Sequence, residues 1–163
     1  MARVLIVGCG CRGRALAADL LADGHAVRGT TRAEASLPEI RALGAEAVRA
    51  DPDRLATLLP SLEGVSVVCW LMGSAPSAEL HGARLQSLVE KIVDTPVRGV
   101  VYEAAGTAEP DLLQQGAAIV RAAGETYRIP FELIENDPAD HDAWLASGTA
   151  SIARLLCHPS PPR

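Results

Sequence analysis

Two periods of hydrophobicity alternate along the chain. Arg3-Val4-Leu5-Ile6-Val7 is a near-continuous apolar run rich in β-branched residues, the pattern of a parallel strand covered on both faces. Similar runs recur at Ala26–Thr31, Ala47–Ala50, Ser66–Leu71, Gly99–Glu103 and Phe131–Glu135. Between them, apolar residues return every three or four positions. This spacing predicts helices over Arg14–Ala22, Ser36–Leu43, Arg54–Leu59, Ser77–Val93, Glu109–Ala123 and Ala139–Leu156. Six strands so connected predict a single-domain, doubly wound α/β fold, a Rossmann-type parallel sheet of order 3-2-1-4-5-6. The domain should occupy residues 1–157, with 158–163 an extended, proline-rich tail.

The first strand runs straight into Gly8-Cys9-Gly10-Cys11-Arg12-Gly13. In a G-x-G-x-x-G turn the first glycine makes the bend and the second lets a pyrophosphate approach the backbone. The third packs the helix onto the strand. The N–H groups and dipole of that helix favour an anion, by roughly 0.3 to 1 kcal/mol per interaction at an exposed site. The second strand ends on Thr30, Thr31 and Arg32, where an NAD site carries a carboxylate for the ribose 2′-hydroxyl. Two hydroxyls and a guanidinium suit a 2′-phosphate, so NADP(H) is expected over NAD(H). Arg12 and Arg14 add positive charge nearby, or serve as solvated helix-start residues.

Val4–Gly10 followed by Gly24–Arg32 resembles the atypical or extended short-chain dehydrogenase/reductase group, in particular its small NAD-dependent epimerase/dehydratase-like members. The resemblance extends to Ala47–Pro52 and implies that Asp51 and Pro52 contact the adenine. It extends to Gly64–Leu71, which leads through Leu71, Met72 and Gly73 into a cofactor-contacting loop, with Met72 and Gly73 flanking the nicotinamide. Arg98–Gly106 resembles the strand whose end carries the family's catalytic serine. There this chain departs from the pattern, with Ala104 and Ala105 in the serine region. The family's Tyr-x-x-x-Lys pair is also missing: Tyr102 and Tyr127 are followed four residues later by Gly106 and Phe131, and the only lysine is Lys91. Tyr102 is the one candidate proton donor, against the alternative of a strand-end tyrosine with no chemical role.

Composition narrows the partners. Of 163 residues 48% are hydrophobic and 3% aromatic, so Ala, Val, Leu and Ile must fill the core. A net charge of −5 argues against a nucleic-acid partner. No apolar run approaches the ~20 residues of a membrane span, and the expectation is a cytoplasmic protein. Cys9 and Cys11 sit near a helix N-terminus, where a thiol can be activated, but they also fit a crowded turn as small apolar side chains. Asp137, Asp140, His141 and Asp142 read as the acidic start of a helix, and no metal site is expected. The apolar stripe Leu85–Val93 could serve a homodimer.

The loops Met72–Pro76, Ala105–Glu109 and Asn136–Pro138 all follow strand ends and are the candidates to line a small-molecule substrate pocket. Two functions fit. One is an NADP(H)-dependent oxidoreductase acting on a small carbonyl or sugar-type substrate. The other is a non-catalytic NADP(H)-binding sensor or assembly subunit.

Overall fold

The structure, a computed structural model, describes residues 2–159. Residues 160–163 of the expected tail lie outside this range. Six parallel strands form one sheet in the order β3-β2-β1-β4-β5-β6. They are β1 (Arg3–Val7), β2 (Ala26–Thr31), β3 (Glu46–Arg49), β4 (Val67–Trp70), β5 (Gly99–Glu103) and β6 (Phe131–Ile134). The helices are α1 (Cys11–Ala22), α2 (Leu37–Ala42), α3 (Leu55–Leu58), α4 (Ala83–Ile92), α5 (Pro110–Tyr127) and α6 (His141–Cys157). The 3₁₀ turns Glu34–Ser36 and Leu59–Leu62 adjoin α2 and α3. The predicted sheet order is the one observed.

The central strands are buried on both faces, which is why they read as unbroken apolar runs. Alternate residues feed two cores. Leu5, Val7, Val68, Trp70, Val100 and Tyr102 meet the α4 and α5 side, where Leu85, Leu88, Val120 and Ala123 close the layer. Val4, Ile6, Val67, Cys69 and Val101 meet Leu16, Leu20, Trp144 and Ile152 of α1 and α6. Neighbouring Tyr102 and Glu103 therefore lie on opposite faces of the sheet.

Two helix starts differ from expectation. α1 begins at Cys11, inside the glycine turn, because Gly10 takes the N-cap position. α4 begins only at Ala83, six residues after the predicted start, since residues 77–82 form turns. Those turns bury Leu80, whose carbonyl accepts the Trp70 indole N–H at 2.9 Å. Of the stripe Leu85–Val93, Leu85, Leu88, Val89 and Ile92 are buried in the core and Val93, just beyond α4, is exposed. Asp140 caps α6 by accepting from the Ala143 N–H, and Asp137 accepts from the Ala139 N–H. No described helix is long and apolar enough to cross a membrane.

Candidate functional site

A groove of 390 Å³ opens along the carboxyl edge of the sheet. Its floor is Gly8, Cys9 and Gly10, one wall is Thr30, Thr31, Arg32, Ala33 and Ser36, and the other is Ala50, Pro52, Met72, Ala75 and Leu80, with Arg14 at the rim. This is the crevice between the two halves of a doubly wound sheet, where such folds bind ligands.

Each glycine of the turn does a different thing. Gly8 has φ +84°, and a Cβ there would press on the Leu71 carbonyl at 2.7 Å and the Met72 methyl at 2.9 Å. A Cβ on Gly13 would meet the Gly8 carbonyl at 3.1 Å and Ile6 at 3.2 Å, as expected where a helix packs tightly on its strand. Gly10 faces open space, with nothing within 4 Å of where a Cβ would stand. No side chain caps α1. The N–H groups of Cys11, Arg12 and Gly13, which a helix cannot satisfy internally, are therefore available to an anion.

Cys9 contributes backbone to the floor and its side chain to the core. Its N–H donates to the Thr30 carbonyl at 2.9 Å, and its sulfur sits over Gly29, where a Cβ would come within 2.8 Å of it. Burial pushes the Cys9 thiol up to about 11, against a smaller opposing pull from Arg14. Cys11 is exposed. Alkylation with iodoacetamide at pH 8 followed by peptide mass mapping is expected to modify Cys11 well before Cys9; equal rates would contradict the buried, protonated state of Cys9.

The end of β2 is polar and open. Thr31 Oγ1 accepts the Ala33 N–H at 3.2 Å, which leaves the Thr31 hydroxyl proton free to donate. Arg32 is exposed and, among the described residues, forms no ion pair, whereas Arg14 pairs with Glu39 at 3.1 Å. Glu34, the nearest acid in sequence, points toward Arg49 at 3.8 Å. Ser36 was not singled out in the sequence, because the turn that brings it back over the groove has no signature of its own. Asp51 is engaged locally, with Oδ1 accepting the Asp53 N–H at 2.9 Å; its neighbours Ala50 and Pro52 line the groove instead.

Three expected site residues, Arg12, Gly73 and Leu71, have partners within the fold. Arg12 turns from the groove to the fully buried Glu103, with Nη2 at 3.2 Å from both carboxylate oxygens and Nε at 3.3 Å from one. It also donates to Ser74 Oγ at 3.2 Å and lies 5.7 Å from the Trp144 ring centre. Gly73 donates its N–H to Glu103 at 2.6 Å, and a Cβ on it would overlap the Ala105 carbonyl. Leu71 is a core residue whose N–H pairs with the Val7 carbonyl.

Tyr102 is the clearest correction. It is fully buried, packed against Gly116 of α5, and its hydroxyl lies 2.6 Å from His81 Nδ1. Burial, and then the charge of Glu103, push its phenol above the ordinary tyrosine value. It stays protonated and donates to Nδ1, which leaves His81 Nε2–H to donate to the Ala75 carbonyl at 3.0 Å. A tyrosine so placed has no path to a substrate. The signal was available: alternation along β5 puts Tyr102 and Glu103 on opposite faces, both inside covered layers.

Of the three loops expected to line one substrate pocket, two come together. Ala104 to Gly106 and Asp137 border a second cavity of 490 Å³ with Arg121 and Glu135. Met72 and Ala75 belong to the first groove.

A family profile described as NAD(P)H-binding matches residues 8–128. No curated protein matches the sequence. Among solved structures the chain is similar to vestitone reductase from alfalfa (Medicago sativa), with 16% identity and a TM-score of 0.63 over 82% of this chain and 56% of that one. It is also similar to triphenylmethane reductase from Citrobacter sp. complexed with NADP(H), with 20% identity and a TM-score of 0.64 over 82% and 49%. A third is UDP-glucuronic acid 4-epimerase from Bacillus cereus in complex with NAD, with 16% identity and a TM-score of 0.60 over 80% and 55%. The chain spans roughly half the length of these proteins. One holds NADP(H) and another NAD, so the shared fold does not select between the two cofactors.

Proposed function

We propose, from the premise that the chain belongs to the NAD(P)H-binding family, that it binds NADP(H) in preference to NAD(H) and acts as an NADP(H)-responsive binding module. The observation that carries the preference is the end of β2, where Thr30, Thr31, Arg32 and Ser36 line the groove. A ribose 2′-phosphate there would meet the Thr31 and Ser36 hydroxyls, beside the buried Thr30, and a guanidinium that no carboxylate among the described residues holds, and Arg14 would add a second charge from the rim. Gly8 and Gly10 would carry the pyrophosphate against the bare N-terminus of α1. The binding-module reading follows from Ala104 and Ala105 at the serine region and from Tyr102, whose hydroxyl is committed to His81.

The reading of an oxidoreductase on a small carbonyl or sugar-type substrate draws on one observation, the second cavity at the ends of β5 and β6. When bound, NADP(H) would supply the hydride; this chain's residues would have to orient the acceptor and hold a proton for it. Gln114, Arg121, Glu135 and Asp137 are the polar side chains that line that cavity.

Calorimetric titration with NADPH and NADH, then a carbonyl panel read as loss of NADPH absorbance, separates these readings. Tight NADPH binding without turnover is the expected result. Arg32→Ala is expected to weaken NADPH by about 1.5–3 kcal/mol, roughly ten- to hundredfold, and NADH hardly at all. Equal losses on the two nucleotides would remove the 2′-phosphate assignment.

A further inference from the structure

Past the loop after β4, which lines the groove with Met72 and Ala75, four segments meet as a wall between the ends of β4 and β5. Arg12, from the first turn of α1, bridges to Glu103 at the end of β5 and to Ser74 in the loop after β4. Trp144 of α6 backs it, with its indole N–H on Glu103 at 2.8 Å. Behind the ion pair the backbones of two loops touch. The Gly73 carbonyl accepts the Ala108 N–H at 2.9 Å, and a Cβ on either Gly73 or Gly106 would overlap the other loop's main chain. No aromatic ring fits between them.

The wall separates two chemistries. On one side lie the hydroxyls, guanidinium and apolar sides of an adenosine 2′-phosphate site. On the other lies the cavity bordered by Ala104, Ala105, Arg121, Glu135 and Asp137. The two cavities share no lining residue. The loops after β4 and β5, in backbone contact at Gly73, Gly106 and Ala108, stand between them.

We infer that the groove is a site for adenosine nucleotides bearing a ribose 2′-phosphate, complete without a nicotinamide, and that the Arg12–Glu103 pair closes the place the nicotinamide would take. The inference rests on the NADP(H) reading above and narrows it: the adenosine half of NADP(H) is gripped and the nicotinamide half stays in solvent. Glu103 is a positioning residue that holds Arg12 and the Gly73 amide together between the ends of β4 and β5.

The test compares adenosine 2′,5′-bisphosphate, NADPH and reduced nicotinamide mononucleotide on the wild-type chain, by calorimetry and by the fluorescence of the nicotinamide. The expected result is that the bisphosphate and NADPH bind within about threefold of each other, that bound NADPH keeps the emission of the free form, and that the mononucleotide does not bind. NADPH binding more than about tenfold tighter than the bisphosphate, with shifted emission, would overturn the wall and leave the NADP(H) reading intact. Failure of both NADPH and the bisphosphate to bind would take down the NADP(H) reading and the inference with it. In Arg12→Ala, checked for native circular dichroism, the advantage of NADPH over the bisphosphate is expected to grow at least about fivefold. An unchanged ratio in a folded variant would overturn the assignment of Arg12 to the wall.

Discussion

Gly10→Ala is expected to change stability by no more than about 1 kcal/mol and to weaken NADPH binding by about 1–3 kcal/mol, roughly five- to 150-fold. The two effects separate because of where the new methyl goes. Gly10 has φ −81°, on the side ordinary residues adopt, and no protein atom lies within 4 Å of its would-be Cβ. The methyl therefore meets only what enters the groove. Gly8→Ala makes the contrast: a left-handed φ of +84° and a 2.7 Å approach to the Leu71 carbonyl put the cost on the fold. Gly13→Ala should behave like Gly8→Ala in milder form, since its contacts are 3.1 and 3.2 Å. Thermal melting and calorimetric titration of the three variants side by side check the separation. Full NADPH affinity in Gly10→Ala would mean that the pyrophosphate does not cross the backbone there.

The same logic explains what could be read from the chain in advance. The spans of β1, β2 and β5, the sheet order and the roles of Gly8 and Gly13 follow from local pattern, because strand burial and turn geometry are set within a few residues. α4 starts later than its periodicity predicts because Gly82, the one breaker after Pro76, takes its N-cap and the packing of Leu80 under Trp70 holds the preceding residues as turns. Arg12 was misplaced for a different reason. Its sequence position fits a phosphate contact as well as any other, and the partner that claims it stands 91 residues away. Glu103 itself left a trace: an acid closing an apolar strand in a sheet covered on both faces must find donors. Sequence gives no means of naming them, since Arg12, Gly73 and Trp144 come from three elements joined only by the finished fold.

Those donors make Glu103→Leu a strongly destabilising change. Leucine fills similar space but leaves the Arg12 guanidinium, the Gly73 N–H and the Trp144 indole N–H without their acceptor. Breaking a buried pair from one side costs about 3–5 kcal/mol. The Arg12 side chain is 30% exposed and can turn partly to water, so about 2–4 kcal/mol is expected here. That corresponds to a fall in melting temperature on the order of 10 °C. Glu103→Gln should fall between, because its single amide oxygen can replace only one of the two carboxylate oxygens that accept from Gly73 and Trp144, and the charge partner of Arg12 is gone. Replacing both members, as Arg12→Met with Glu103→Leu, should recover the part of the loss that comes from the unpaired guanidinium, while the Gly73 and Trp144 N–H groups still lack their acceptor. A melting temperature for Glu103→Leu within about 2 °C of the parent would show that water already satisfies these donors. The double variant then bears on function as well as folding. If it melts near the parent and its NADPH affinity rises above that of adenosine 2′,5′-bisphosphate, the ion pair is dispensable for the fold and its net effect is to keep the nicotinamide out.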